Sequence, residues 1–274
     1  MPELPEVETT VRGLETVLKG RRLERVELRR GDLRRPFPAD LGQRLTGARV
    51  VGLGRRAKYG LIETDRGDTL IFHLGMSGRW RIDPADIGAH DHLLLDTDDG
   101  RRLSLNDPRR FGSLDLVATD AVAEWPTFRA LGPEPLGDAI DGAWLKAKFA
   151  GRSAAVKLLL LDQRVVAGLG NIYACEALFR AGIDPRKAAG KVGRARLDAL
   201  ARAIPAVLGE AIAAGGSSLR DFAAPDGELG YFSKQFDVYG REREREPCRG
   251  GCGGTVRRIV QGGRSTFFCP GCQR

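Results

Sequence analysis

The sequence has no apolar run long enough to cross a bilayer; Leu158 to Leu161 is the centre of only a short one. A spanning helix needs about 20 consecutive apolar residues, so membrane helices are excluded. The acidic N-terminus lacks the basic and apolar regions of a secretory signal, which argues for a cytoplasmic protein. No internal repeat or low-complexity tract stands out. Cysteine is scarce: there are five in 274 residues, and four crowd the last 27. That crowding, in a reducing compartment, suggests a metal site rather than disulfides. Acidic residues are outnumbered, 36 against 44 Lys+Arg, for a formal charge of +8. The balance favours an anionic partner, nucleic acid ahead of a membrane surface, although a merely basic soluble protein would show it too. A chain of this length buries a sizeable core and has room for two domains or more.

What is present begins at the first residues, Met1-Pro2-Glu3-Leu4-Pro5-Glu6-Val7-Glu8. If Met1 is removed, Pro2 becomes a free secondary amine. Such an amine can attack a sugar aldehyde carbon and form a charged iminium. Glu3 and Glu6 stand beside it as candidate proton carriers. The plainer reading is that Pro5 opens a helix and the acids favour its positive end. Val7, Val11, Leu14 and Leu18 repeat at helical spacing, which predicts a helix ending near Gly20. Such a helix would hold Pro2 in place, which a nucleophile needs.

From Arg22 to about Leu116 the pattern is of short strands, at 45–53, 60–64, 69–74, 92–96 and 102–105, separated by Gly and Asp turns. That spacing suggests a β-sandwich or barrel. Three polar stretches interrupt it. Lys58 lies in Arg55-Arg56-Ala57-Lys58-Tyr59, as a solvated turn or as a phosphate contact or proton donor. Met76 lies between small residues in His73–Gly78, and Arg109 and Phe111 lie in a loop bounded by Pro108 and Gly112. Met and Phe are usually core residues, but an apolar wedge beside a cation is what unstacks and holds DNA.

Gly132–Gly137 is the expected linker, and helical periodicity follows at 144–149, 154–161, 173–181 and 194–214. Between two of these helices lies Val166-Ala167-Gly168-Leu169-Gly170-Asn171-Ile172-Tyr173. Glycines ahead of a helix let backbone N–H groups and an Asn amide reach a phosphate; a helix-ending turn looks the same. Cys175 is expected to be packed. The glycine-rich stretch from Gly215 to Phe232 reads as a loop, and Gly240–Glu246 as an exposed linker. Cys248, Cys252, Cys269 and Cys272 form two close pairs, matching a tetrahedral structural zinc site with one ion per chain. Strands at 255–261 and 264–268, joined through Gly262-Gly263, carry Arg257, Arg258 and Arg264.

These strings together resemble the bacterial formamidopyrimidine-DNA glycosylase family, along nearly the whole chain. The resemblance implies catalytic roles for Pro2, Glu3, Lys58 and Arg264, with Glu6 in support. Lys58 would donate a proton in strand cleavage, and Arg264 would contact the lesion phosphate and assist the second elimination. It implies DNA contacts for Met76, His90, Arg109, Phe111, Lys157 and Asn171, with Arg152 in the same basic neighbourhood. Met76, Arg109 and Phe111 would enter the duplex where the damaged base leaves, and Lys157 and Asn171 would grip flanking phosphates. The loop after Gly215 would close over the extruded base. The family usually has two residues inside the first cysteine pair; in this chain there are three, Arg249-Gly250-Gly251.

The expected fold is multidomain α+β. Residues 1–131 form a catalytic β-sandwich domain with an N-terminal helix, and 132–224 a helix–two-turn–helix DNA-binding domain. Residues 225–247 are loop end and linker, and 248–274 a four-cysteine zinc-finger β-hairpin. The expected activity is excision of oxidised purines by a monomer acting on damaged double-stranded DNA. Two rivals are an oxidised-pyrimidine glycosylase of the same superfamily and a non-catalytic zinc-finger DNA-binding protein.

Overall fold

Helix α1 (Leu4–Leu18) opens the chain because its first turn is over-determined. Pro5 presets the helical φ, Glu6 meets the positive helix end, and Glu3 caps it. Leu4, Val7, Val11, Leu14 and Leu18 bury one stripe, and the helix stops before Gly20 at φ +80°. The computed structural model describes residues 1–137, 140–217, 225, 230–243 and 247–274. They divide into one unit of Met1–Arg129 with Ala214–Ser233, and another of Ala130–Ala213 with Lys234–Arg274.

In the first unit eight strands follow: β1 (Leu23–Leu28), β2 (Val50–Arg56), β3 (Tyr59–Thr64), β4 (Asp68–His73), β5 (Arg79–Ile82), β6 (Asp91–Thr97), β7 (Arg102–Asn106) and β8 (Ser113–Ala118). They form two antiparallel four-stranded sheets, ordered β1-β6-β7-β5 and β2-β3-β4-β8. One core joins both sheets and α1; Phe72 on β4 meets Trp80 on β5 edge-to-face at 5.6 Å. This is the sandwich alternative, not the closed barrel. The expected strand at 45–53 is corrected. Leu41–Leu45 is a short helix, α2, and Gly47 at φ +80° breaks the chain before β2 begins. A single helical turn, α3 (Pro126–Arg129), ends the first stretch of this unit.

The second unit's helices are α4 (Gly142–Phe149), α5 (Val156–Leu160), α6 (Asn171–Arg180) and α7 (Arg194–Ala213). Asp141 caps α4 by accepting from the Trp144 N–H at 2.7 Å. Helix α7 packs against α4 and α6. The terminal hairpin pairs β9 (Arg257–Gln261) with β10 (Arg264–Phe268), and α6 packs against β10. Cys175 on α6 shares a buried cluster with Val238, Val256 and Phe267. The cysteine-bearing hairpin is therefore compact with the helices, not a separate body. In the expected exposed linker at 240–246, Gly240 and Arg243 are exposed but Arg241 is 5% exposed and donates to the Asp237 carbonyl at 3.0 Å, and 244–246 lie outside the described residues. No helix among the described residues is long and apolar enough to cross a membrane.

Candidate active site and nucleic-acid interface

Pro2 is buried at the start of α1, with Met1 exposed outside it. The Glu6 carboxylate accepts from the Glu3 N–H at 2.8 Å, and the Glu3 side chain accepts from the Glu6 N–H. Two donors that a helix start leaves unpaired are thus satisfied reciprocally. The second oxygen of Glu6 accepts from the Ser217 N–H at 2.9 Å and from its hydroxyl at 2.8 Å. Glu3 and Glu6 are each 2% exposed. The end of the chain that carries Pro2 is consequently fastened at two points.

Lys58 occupies the two-residue turn between β2 and β3 and is buried. Ala57 beside it has φ 54°, a conformation that costs a residue with a Cβ on the order of 1 kcal/mol or more. Arg55 holds this turn: it donates to the Ala57 carbonyl at 2.9 Å and to Glu8 on α1 at 2.8 Å. Burial raises the Glu8 carboxyl, but Arg55 and Arg12 more than offset it and hold it below its usual range. The turn and the start of the chain are therefore braced by one helix.

His73 ends β4, 4.8 Å from the Tyr59 ring, and its Nδ1 accepts from the Gly75 N–H at 3.0 Å. Burial, then the charges of Lys58, Arg34 and Arg35, push its pKa down to about 4. It is a neutral acceptor at working pH. Met76, half-buried, follows in the loop that His73 begins. Arg109 and Phe111 are exposed on a second loop, with the guanidinium 5.0 Å from the centre of the phenyl ring. The two loops touch along their backbones. A Cβ on Gly75 would lie 2.3 Å from the Phe111 carbonyl carbon, so only glycine permits the approach. His90 is exposed, whereas its neighbour Asp91 is fully buried. Asp91 accepts from Ser104, Asn106, the Gly88 N–H and Arg81, which outweigh the upward push of burial and keep it ionised.

In the second unit Asn171 begins α6. Its amide donates to the Ser265 carbonyl at 2.9 Å and to the Tyr239 hydroxyl at 3.3 Å. Arg264, adjacent to Ser265, is exposed, as is Arg152. Lys157 is fully buried, and its ammonium donates to the Ser265 carbonyl at 3.1 Å and to the Thr266 hydroxyl at 2.6 Å. A phosphate cannot reach it in this conformation. In this structure the ammonium instead braces the strand that carries Arg264. The loop from Gly215 expected to close over a base falls largely on 218–224 and 226–229, outside the described residues.

The four cysteines converge despite their unequal spacing. All four Sγ atoms lie within 4.8 Å of one another; Cys252 and Cys269 are 3.4 Å apart and Cys248 and Cys272 3.6 Å. A tetrahedral site with metal–sulfur bonds of about 2.3 Å needs sulfurs roughly 3.8 Å apart, so the set fits zinc. The Gly250 and Gly254 N–H groups donate to Cys248 and Cys252, at 3.3 and 3.4 Å. The Gly254 N–H, then the neighbouring thiols, draws Cys252 down to about 7, while burial pushes Cys248 up to about 12. A bound dication would favour the thiolate at all four. The extra residue fits because a Cβ at Gly250 would meet the Cys272 sulfur at 2.6 Å, and Gly251 turns at φ +72°.

Three family models match the chain: the formamidopyrimidine-DNA glycosylase N-terminal domain at 1–114, its H2TH domain at 131–223, and the zinc finger found in FPG and IleRS at 245–274. The chain belongs to the formamidopyrimidine-DNA glycosylase family. A formamidopyrimidine-DNA glycosylase of Novosphingobium aromaticivorans is 69% identical over the full length of both chains, and one of Zymomonas mobilis is 53% identical, also over full length. Among solved structures, the MutM (Fpg) protein of Thermus thermophilus superposes with a TM-score of 0.88 at 40% identity, covering 99% of this chain and 98% of its own. The Lactococcus lactis Fpg bound to DNA containing an abasic site gives 0.90 at 35% identity, with complete coverage of both chains.

Several buried residues that brace these features in the two units of this glycosylase-family chain carry little signal in the sequence. Ser217, Asp107, Ser77 and Glu176 are polar and buried. Each binds groups that lie far from it in sequence or carry no motif. Glu176 accepts three backbone N–H bonds, from Asp237, Val238 and Tyr239. Its one sequence signal is a charge amid the apolar residues of α6.

Proposed function

We propose that this protein is a base-excision-repair DNA glycosylase with AP lyase activity, acting on 8-oxoguanine and ring-opened purines through Pro2. The observation that carries the reading is the fastened N-terminus: Pro2 is buried, and Glu6 ties its neighbour Glu3 to Ser217. Removal of Met1 makes Pro2 a secondary amine. The damaged nucleotide must first leave the stack, because C1′ is shielded within it. The Pro2 nitrogen pair then bonds to C1′. The bond from C1′ to the base breaks, the base leaves with the electron pair of that broken bond and takes up a proton, and the Pro2 nitrogen gives up its own proton. Ring opening gives an iminium joining Pro2 to C1′. The iminium acidifies C2′; loss of that proton expels the 3′ phosphate, and a second elimination expels the 5′ phosphate. Glu3 carries protons at the sugar, Lys58 donates in strand cleavage, and Arg264 steadies the lesion phosphate. Asn171, Arg152 and His90 contact the backbone. Met76 and Arg109 fill the gap while Phe111 buckles the neighbouring stack. Cys248, Cys252, Cys269 and Cys272 hold one zinc ion, whose role is to fold the hairpin. The protein acts as a monomer.

The rival lesion class has one observation in its favour: a solved Lactococcus lactis Fpg complex contains DNA with an oxidised pyrimidine. A panel of damaged duplexes compares the two. The decisive test of chemistry is borohydride trapping. It should give a stable protein–DNA adduct whose peptide map places the bond at Pro2. An adduct confined to a lysine would refute the assignment.

A further inference from the structure

Two loops carry the three wedge residues, and a buried pair of side chains holds the loops together. Asp107 is 0% exposed and Ser77 6%. The Ser77 hydroxyl donates to Asp107 Oδ1 at 2.7 Å. The same hydroxyl oxygen accepts from the Arg109 N–H at 3.1 Å. The other oxygen, Asp107 Oδ2, accepts from the Gly112 N–H at 2.8 Å. Ser77 directly follows Met76, and Arg109 to Gly112 encloses Phe111. The bonds therefore clasp both ends of the Phe111 loop to the Met76 loop. The main chain of Asp107 adds two anchors: its N–H donates to the His90 carbonyl at 2.9 Å, and its carbonyl pairs with His92 Nε2 at 3.0 Å.

The geometry points to Ser77 and Asp107 as positioning residues that make Met76, Arg109 and Phe111 enter DNA as one rigid wedge. The inference rests on the wedge reading proposed above. A buried carboxylate with short charge-assisted bonds is costly to disturb, because a broken bond leaves a donor or a charge without a partner away from water. A loop on the surface would otherwise sample many conformers, and each would have to be frozen out when DNA is bound. Preorganisation by Asp107 removes that cost. It also fixes the distance between the side chain filling the gap and the guanidinium facing the opposite base.

Ser77→Ala removes the bridging hydroxyl with little change of volume, and Asp107→Asn removes the charge. Base extrusion is followed by stopped-flow fluorescence of 2-aminopurine beside 8-oxoguanine, with thermal melts in parallel. Each variant should slow extrusion about tenfold, the effect of losing one buried hydrogen bond of a charged group. Because both cut the same link, the double variant should be no slower than the more severe single one. The ratio of single-turnover rates opposite cytosine and opposite adenine should also fall. If Asp107→Asn fails to fold, Ser77→Ala decides. A Ser77→Ala protein that melts normally, extrudes at the wild-type rate and keeps its opposite-base ratio overturns the proposal. Phe111→Ala and Arg109→Ala are run alongside. If they too behave as wild type, the wedge reading itself has failed; if they are slow while Ser77→Ala is not, only the clasp has failed.

Discussion

Glu6→Gln is the sharpest perturbation of the fastened N-terminus. The Glu6 carboxylate accepts from Glu3 N–H on one oxygen and from both donors of Ser217 on the other. Glutamine keeps the size but has only one acceptor oxygen. If that oxygen serves Ser217, the amide NH2 faces the Glu3 N–H, and two donors oppose each other. The reverse orientation sets NH2 against Ser217. Either way at least one buried N–H loses its acceptor, at a cost of roughly 1–3 kcal/mol. Taken at about 2 kcal/mol, the local equilibrium between fastened and frayed N-termini shifts roughly 30-fold toward fraying. Global stability changes by no more than the same amount. The assay is single-turnover borohydride trapping with 8-oxoguanine duplex, with hydrogen exchange at Glu3 and Ser217. Trapping should slow by up to about 30-fold, and both amides should exchange faster. Wild-type trapping together with faster exchange would refute the reasoning, since it would show that fraying of the terminus does not limit the attack.

The protein should carry about one zinc per chain, and its removal should weaken damaged-DNA binding more than it disturbs the sandwich; full affinity in a verified metal-free sample would remove the finger from that role. Arg264→Ala should flatten the salt dependence of DNA binding by about one unit, whereas Lys157→Met should lower stability and leave the slope unchanged. A flattened slope for Lys157→Met would restore Lys157 to the phosphate contacts. His73 has a folded pKa of about 4, below its ordinary value of about 6.5, so the unfolded chain binds the extra proton first. Its contribution is intact above pH 6.5 and declines, by at most about 3 kcal/mol, as pH falls toward 4; His73→Gln should weaken that acid sensitivity in pH-dependent melts.

Periodicity makes the elements legible. The stripe from Val7 to Leu18 gives α1 within a few residues, and β3, β4, β6 and β7 lie where apolar runs between Gly and Asp turns put them. Helix α2 is hidden because five residues are too few for a 3.6-residue period to show, and Leu45 looks like the start of the next strand. The cysteines are legible because a tetrahedral ion demands four thiolates and little else in the chain explains them. What stays hidden are partners set by topology. Glu6 and Ser217 are 211 positions apart, and no local spacing links them. The burial of Lys157, expected from the resemblance to grip a phosphate, is not legible because lysine is almost never fully buried. Its burial follows from the hairpin folding over α5 within the second unit, where the Ser265 carbonyl and Thr266 hydroxyl receive the ammonium.

The hidden residues share one physical task. The residues proposed to meet DNA, Arg264, Arg152, Arg109 and Phe111, are exposed, and exposed side chains are poorly held by their own packing. Apolar packing beneath them is non-directional and leaves the register of a loop loosely specified. A buried hydrogen-bonded charge does the opposite. It is expensive to desolvate, so it tolerates only the arrangement that supplies its partners. Four buried groups are held in this way: in the first unit Glu6 behind the N-terminus and Asp107 behind the proposed wedge, and in the second Lys157 and Glu176 behind the strand and segment next to Arg264 and Asn171. None need touch the nucleic acid to matter. Where the partners are few and neutral, replacing the group with an apolar residue of equal volume would do less harm to stability than to the geometry of the exposed residue it supports. Leu or Met at Lys157 is the clearest case, because the carbonyl and hydroxyl that receive its ammonium are neutral groups. Such a variant should melt within about 2 kcal/mol of wild type while single-turnover strand cleavage slows measurably more than DNA affinity falls. Equal losses in affinity and cleavage would mean that Lys157 only holds the hairpin together and leaves the placement of Arg264 untouched.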